Sequence, residues 1–427
     1  MDEARGPRCH IIIVGVAIAL LAGCGETPHQ AGASGAIPNA ISAVSGSYKV
    51  LYNFQNQPDG ADPSSGLLEL NRSLYGTTYE GGNKDCWHHL GCGTVYRISS
   101  RGAEKVLHVF IKPDAVNPSS SLIDVKGTLY GTTVGGGSIG AGAVFSMTPS
   151  GTEAVLHSFG GRNDGRRPDS HLINVNGTLY GTTTCCGKQC SGNPYCGTVY
   201  SIGPSGKERV LYDFRGGADG AVPNSLVYLN GMLYGTTLQG GVKQGCMGFY
   251  YVFGCGTFFS LSMSAEHTVL HEFSDGSDGA QPLGGLLDVN GTLYGTTESG
   301  GSENGGSGRG IVYSMSTSGV ETILYRFTGG SDGLSPNGGL IDVGSVIFGT
   351  TSYGGGTSSI CTNGCGTIYS ITMNGGESVE NVLYRFAGGT GGMYPNGDLI
   401  DVKGTLYGTT RQGGVATCCG TVFALTP

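Results

Sequence analysis

The chain has 427 residues, enough for a large core, and 81 of them are glycine, against a usual share of about 7%. Charged residues make up only 13%, and the net charge of −8 is spread along the chain without a Lys/Arg run or basic stripe, which argues against nucleic acid as a partner. Tyr, Val, Ile, Leu and Phe recur at fixed places, so the low charge points to many short strands and tight turns rather than disorder.

The chain opens with Arg5 and Arg8 ahead of a 12-residue apolar stretch, Ile11–Ala22. That length is too short to span a membrane as a helix and suits the apolar region of a signal peptide over residues 1–23. Leu21-Ala22-Gly23-Cys24 resembles the lipobox of bacterial lipoprotein signal peptides. The resemblance implies cleavage before Cys24, lipidation of that cysteine, and a membrane as partner through the anchor. An ordinary secretory signal with an incidental cysteine is the alternative. Residues 25–47 are small and polar and read as a flexible tether.

From residue 48 onward one unit repeats seven times. Its marker is LYGTT, at 74–78, 129–133, 179–183, 233–237, 293–297 and 406–410, with IFGTT at 347–351. The spacing of 50 to 60 residues marks a repeat architecture. Each unit contains four strand-like pieces: a, such as Leu122–Val125; b, such as Thr128–Thr133; c, such as Ala143–Met147; and d, such as Ala154–Phe159. Asn-Gly pairs at 176–177, 230–231 and 290–291 lie between a and b and predict tight hairpins. Seven four-stranded antiparallel units predict an all-β, seven-bladed β-propeller over 48–427. The first folded piece, Val50–Phe54, is of type d, and the last, Thr421–Leu425, is of type c. The N-terminal strand is therefore expected to complete the C-terminal blade and leave no open edge. The glycine of LYG is expected to mark close approach of a neighbouring element.

Outside Cys9 and Cys24, twelve cysteines cluster in the loops between b and c: Cys86 and Cys92; Cys185, Cys186, Cys190 and Cys196; Cys246 and Cys255; Cys361 and Cys365; Cys418 and Cys419. Local disulfides in an oxidising compartment are the expectation. Cys196 has three possible partners, and Cys418 and Cys419 either bridge as neighbours or stay reduced. Zinc is the rival for the Cys361-x3-Cys365 and four-cysteine spacings. No cofactor or metal is expected.

In a propeller the b–c and d–a loops share one face and the a–b and c–d turns the other. The b–c and d–a loops are the long ones here, so a binding site is expected on their face. Six d–a loops carry Asp four residues before Pro: Asp59, Asp114, Asp164, Asp219, Asp278 and Asp332, with Gly391 in the seventh. They read as Asx turns, or as a ring of carboxylates for polar ligand groups. Glu69, Asp124, Asp288, Asp342 and Asp401 recur in strand a, where hydrogen bonds between blades, or an axial cation, are expected. Trp87, the sole tryptophan, lies between Cys86 and Cys92 as a candidate ligand contact, sugar being the obvious one. His108, His157 and His271 stand where other units have Tyr in strand d and read as structural. No nucleophile elbow, HExxH or phosphate loop is present.

The full pattern GTLYGTT-x-x-GG, GTVY-S-[IM], VLY-x-F-x-GG-x-DG-x-x-P covers residues 48–427 and resembles the GloVer tandem repeats of bacterial choice-of-anchor surface proteins. The resemblance implies an extracytoplasmic repeat protein, and a lipobox is one such anchor. It implies no particular activity. Taken together, the expected function is a lipid-anchored binding or structural scaffold, a monomer with a glycan or protein ligand on the loop face. The alternative is a hydrolase or lyase acting on polysaccharide or peptide, with loop carboxylates as acid and base.

Overall fold

The computed structural model describes residues 46–427 except 84–85, 87–89, 161–162, 186–194, 242–245, 247–253, 303–307, 375–376 and 416–417. The expected cleavage site, Cys24 and residues 25–45 of the expected tether fall outside the described residues, as do Trp87, Cys186 and Cys190, while Ser47 already belongs to the first strand. Gly46–Pro427 forms one unit of seven antiparallel sheets, one per repeat. Blade 1, for example, runs Leu68–Leu70, Ser73–Thr78, Thr94–Ser99 and Glu104–Val109 in spatial order a-b-c-d. The only helical turn among the described residues is the short 3-10 segment Gly389–Gly391.

The ring closes as the strand order predicts. Ser47–Asn53 pairs antiparallel with Thr421–Thr426, placing Val50 opposite Phe423 and Tyr52 opposite Val422. Two ends far apart in sequence thereby share one blade, blade 7, and neither leaves an open edge.

The a–b turns behave as their composition demands. Asn176, Asn230 and Asn290 have φ of 51° to 53°, and the following glycines are also at positive φ. The strand-a acids correct an expectation. They do not bridge blades: Asp124, Asp288 and Asp401 each accept the N–H of the turn glycine three residues on, and Glu69 accepts the N–H of Arg72. Asn174 does the same for Gly177. A short polar side chain three residues before a turn N–H caps that turn more readily than it reaches a neighbouring blade.

The glycine of LYG also has a more local reason than expected. Gly181 lies opposite Tyr200 of its own blade's strand c. A Cβ there would sit 2.5 Å from the Tyr200 hydroxyl, so the tyrosine ring lies across the glycine. An aromatic laid over a strand glycine covers otherwise bare backbone. Six equivalent pairs repeat this around the ring, from Gly76 with Tyr96 to Gly408 with Phe423.

The same seven aromatics join the blades. Each meets the phenylalanine that ends strand d of the preceding blade: Phe54–Tyr96, Phe110–Phe145, Phe159–Tyr200, Phe214–Phe259, Phe273–Tyr313, Phe327–Tyr369 and Phe386–Phe423. Ring centroids are 4.9 to 5.5 Å apart at 56° to 69°. This edge-to-face range adds about 0.5–1.5 kcal/mol per pair beyond burial.

Candidate functional site on the loop face

The d–a loops form the inner part of the loop face. In each, the residue before Pro stands at positive φ, between 54° and 61°, though none is glycine: Asp62, Asn117, Arg167, Val222, Gln281, Ser335 and Tyr394. This conformation costs a non-glycine residue roughly 1–2 kcal/mol. It persists because each N–H donates to a carbonyl of the preceding blade at 2.7–3.2 Å. The acceptors are Cys419, Cys92, Ala141, Cys196, Cys255, Arg309 and Cys365. Five are the cysteines that stand before Gly-Thr.

The loop disulfides therefore hold the acceptor side of the seams between blades. Cys86–Cys92, Cys246–Cys255, Cys361–Cys365 and the neighbours Cys418–Cys419 are bridged, each within one b–c loop. Cys196 is bridged as well, while Cys185 is buried at the end of strand b. Among the described residues no three of His, Cys, Asp and Glu converge in a metal-ligand cluster.

The loop aspartates are built into their own loops. Asp59 accepts the hydroxyl of Tyr52 at 2.6 Å and the N–H of Gln55. Asp219 does so with Tyr212 and Arg215, and Asp332 with Tyr325 and Thr328. Asp164 accepts the Gly160 N–H and faces His157 at 3.5 Å. Asp278 accepts from Ser274 and faces His271 at 3.6 Å. The N–H lies four residues behind the carboxylate rather than ahead of it, and the third residue of strand d supplies the second partner. Asp114 is exposed.

A residue that sequence reading passed over completes these seams. Six positions before the strand-d phenylalanine stand Glu104, Glu153, Glu208, Glu321 and Glu380, with His267 and Tyr48 in the other two blades. Burial, and then Asp59, push Glu104 up to about 7. Burial raises Glu208 to about 7 beside His157 and Asp164, and Glu380 to about 7 beside Asp332. Where the loop aspartate is replaced by Gly391, the glutamate is replaced by Tyr48. Its hydroxyl donates to the Gly391 carbonyl at 2.6 Å, and its ring stacks on Tyr384 at 3.8 Å. The two substitutions belong to one seam and compensate each other.

This arrangement makes stability pH-dependent. Three glutamates with raised folded pKa keep their protons in the fold more tightly than in the unfolded chain. Their contribution is complete below about 4.5 and is lost as pH rises through about 7. His267, lowered to about 4 by burial, opposes this only below about 6.5. Thermal melting should therefore fall in temperature from pH 5 to pH 8. The triple change Glu104→Gln, Glu208→Gln and Glu380→Gln should flatten that slope; an unchanged slope would mean the seam carboxyls do not titrate there.

At the axis the seven-fold pattern breaks. The third residue after the loop proline is Gly66, Ser121, His171, Gly285, Gly339 and Asp398, and the loop of blade 4 is one residue shorter. His171 and Asp398 come from blades 3 and 7, and Nδ1 lies 3.0 Å from Oδ2 across the opening. Protein surrounds both, yet 42% and 28% of their side-chain surfaces stay open. Burial alone lowers His171, but Asp398 outweighs it and holds the imidazole above its ordinary value. Burial raises Asp398, but His171 and the Gly339 N–H outweigh it and hold the carboxyl below its usual range. Nearby, Arg411 of blade 7 binds Asp62 of blade 1 through Nε and Nη2, both at 3.0 Å. The signal for His171 and Asp398 was present: charged side chains stand where other repeats have Gly or Ser.

The model of the Gloeobacter/Verrucomicrobia repeat matches residues 30–249 and 189–360. No curated protein matches. Among solved structures, a candidate 6-phosphogluconolactonase from Bacteroides fragilis is 13% identical, with TM-score 0.49, over 85% of this chain and 95% of that one. A gluconolactonase from Xanthomonas campestris is 14% identical, with TM-score 0.41, over 91% and 93%. At these values neither carries an argument. The repeat model spans well over half of the chain, and the protein belongs to the Gloeobacter/Verrucomicrobia repeat family.

Proposed function

We propose that this protein is an extracytoplasmic binding propeller, held in a membrane through an acylated Cys24, which meets its ligand with the axial mouth of the loop face. The observation that carries this reading is the break in the repeat: the blades share one backbone, and unlike side chains gather at the mouth. Sequence variation on a fixed frame is how a scaffold acquires specificity. The family match and the loop disulfides fit an extracytoplasmic location.

The entry point of the chain fits the same reading. Ser47 pairs with Thr426, at the end of strand c that lies on the turn face. The described chain therefore enters the propeller on the turn face, opposite the loop face. The hydrolase alternative receives less support, because most of the loop aspartates are tied into their own loops and do not offer a free acid and base.

Stable anchoring needs more than one acyl chain, since each buried methylene contributes about 0.8 kcal/mol and a single chain binds marginally. Cys24→Ser should move the protein from the membrane to the soluble fraction without changing its melting temperature. A variant that stays membrane-bound, or a mature N-terminus elsewhere, would remove the anchor from this reading.

A further inference from the structure

We propose that the turn face of the propeller is a membrane-docking surface, whose basic half lies on anionic lipid headgroups. This rests on the membrane location in the reading above and adds a second contact to the anchor.

The repeats are unlike on this face. Arg72, Lys126 and Lys403 stand in the a–b turns of blades 1, 2 and 7, and Arg101 and Lys207 in the c–d turns of blades 1 and 3. Lys49, Lys105 and Arg209 lie near the start of the outer strands that leave the same face in blades 7, 1 and 3. All eight are exposed, and among the described residues none is paired with a carboxylate. No two are adjacent in the chain, so no run shows in the sequence. Closure of the ring sets blades 7, 1, 2 and 3 side by side and gathers them. Blades 4, 5 and 6 differ. Their a–b turns are Asn230-Gly231, Asn290-Gly291 and Gly344-Ser345, and their exposed charges on this face are Glu266, Asp288, Asp342 and Glu377.

Little negative charge offsets the basic half. Its exposed acids are Glu69, Asp124 and Asp401, each bonded to the N–H of its own turn. Glu104, Glu153 and Glu208 are half-buried, and burial holds their carboxyls above the usual range. The half-face is therefore positive on a chain whose net charge is −8.

Two features choose a bilayer as the partner. The charges come from turns near the axis and from turns and strands at the rim, which suits a broad charged plane better than a single anion. The described chain also enters here: Ser47 starts the outer strand of blade 7, beside Lys49, so an acylated Cys24 delivers this half to the headgroups. Acids on the loop face lie at the far ends of the strands, about 20 Å away for six residues. Physiological salt screens charges beyond about 8 Å, so those acids do not oppose the contact. The same screening makes the patch an adjunct to the acyl chains, too weak alone to hold the protein in a salt-washed membrane. Its consequence is orientation, with the loop face pointing away from the bilayer.

A chain of residues 25–427, exported through a secretory signal so that its disulfides form, lacks Cys24 and keeps Gly46–Pro427 whole. It is mixed at low ionic strength with vesicles of phosphatidylcholine alone, or of equal parts phosphatidylcholine and phosphatidylglycerol, and binding is read by co-sedimentation. Binding is expected to the charged vesicles only, and physiological salt should reverse it. Lys49→Gln, Lys105→Gln and Lys403→Gln together should weaken it on the order of a hundredfold, at about fivefold per basic side chain near an anionic surface. Lys112→Gln, Arg215→Gln and Arg385→Gln, at exposed positions toward the loop face, change the net charge equally and should leave binding nearly unchanged. Both variants alter exposed side chains, so their melting temperatures should match the parent's. Equal binding to the two kinds of vesicle, no binding to the charged ones, or an equal loss in the two variants overturns the docking surface. The tested chain has no Cys24, so these outcomes are independent of the anchor, whose own failure is read by Cys24→Ser.

Discussion

Phe159→Ala should destabilise the propeller by about 3–5 kcal/mol, the usual range for removing a buried phenylalanine. Phe159 is fully buried and meets Tyr200 of the next blade edge-to-face at 4.9 Å. The substitution opens a cavity at the seam between blades 2 and 3, and it also removes the ring-ring term. In a repeat protein whose stability is close to a sum of unit and seam terms, one weakened seam is felt by the whole ring. Gly181→Ala attacks the same tyrosine from its other side, forcing a methyl to within 2.5 Å of its hydroxyl. Overpacking of this kind costs about 1–3 kcal/mol. Denaturant unfolding of both variants checks the ranking. A cost below about 1 kcal/mol for Phe159→Ala would mean the aromatic seam does not hold the blades.

Removing residues 46–54 should have a larger effect and prevent folding of the closed ring. Ser47–Asn53 is the outer strand of blade 7, and its loss exposes the long edge of Thr421–Thr426. It also removes Phe54 and with it the seam to Tyr96 of blade 1. Phe54 alone accounts for about 3–5 kcal/mol, against a total of about 5–15 kcal/mol for a domain. The truncated chain is expected to appear as soluble aggregate, because an unpaired strand edge templates association. A monomeric truncated chain with a native melting temperature would show that closure contributes little.

Much of this architecture was legible because repetition multiplies weak signals. One Asn-Gly pair predicts a hairpin weakly; three of them at one place in a seven-copy unit, together with LYGTT, identify blade and strand order. Closure followed from the type of the first and last strands. The loop cysteines were legible as local bridges. Their part in holding the carbonyls that receive the next blade was not, since it depends on three-dimensional adjacency of loops about 25 residues apart, as with Cys92 and Asn117. The strand-a acids misled because spacing alone does not distinguish a turn cap from a contact between blades. The seam glutamates recur as plainly as the aspartates but lie in a strand, where a charged residue reads as solvent-facing. His171 and Asp398 occupy one place in the repeat but meet across the axis, and only closure of the ring brings them together.

Whether the loop-face mouth of this propeller binds a ligand is measured directly by site-directed photo-cross-linking in cells. A photoreactive phenylalanine is placed at Ser335 and Gly285 on the loop-face mouth and, in parallel, at Lys126 and Asn290 on the turn face. A discrete protein or glycan adduct is expected from the mouth positions and none from the turn positions. Adducts confined to Lys126 and Asn290, or an absence of any adduct from the mouth, would contradict binding there.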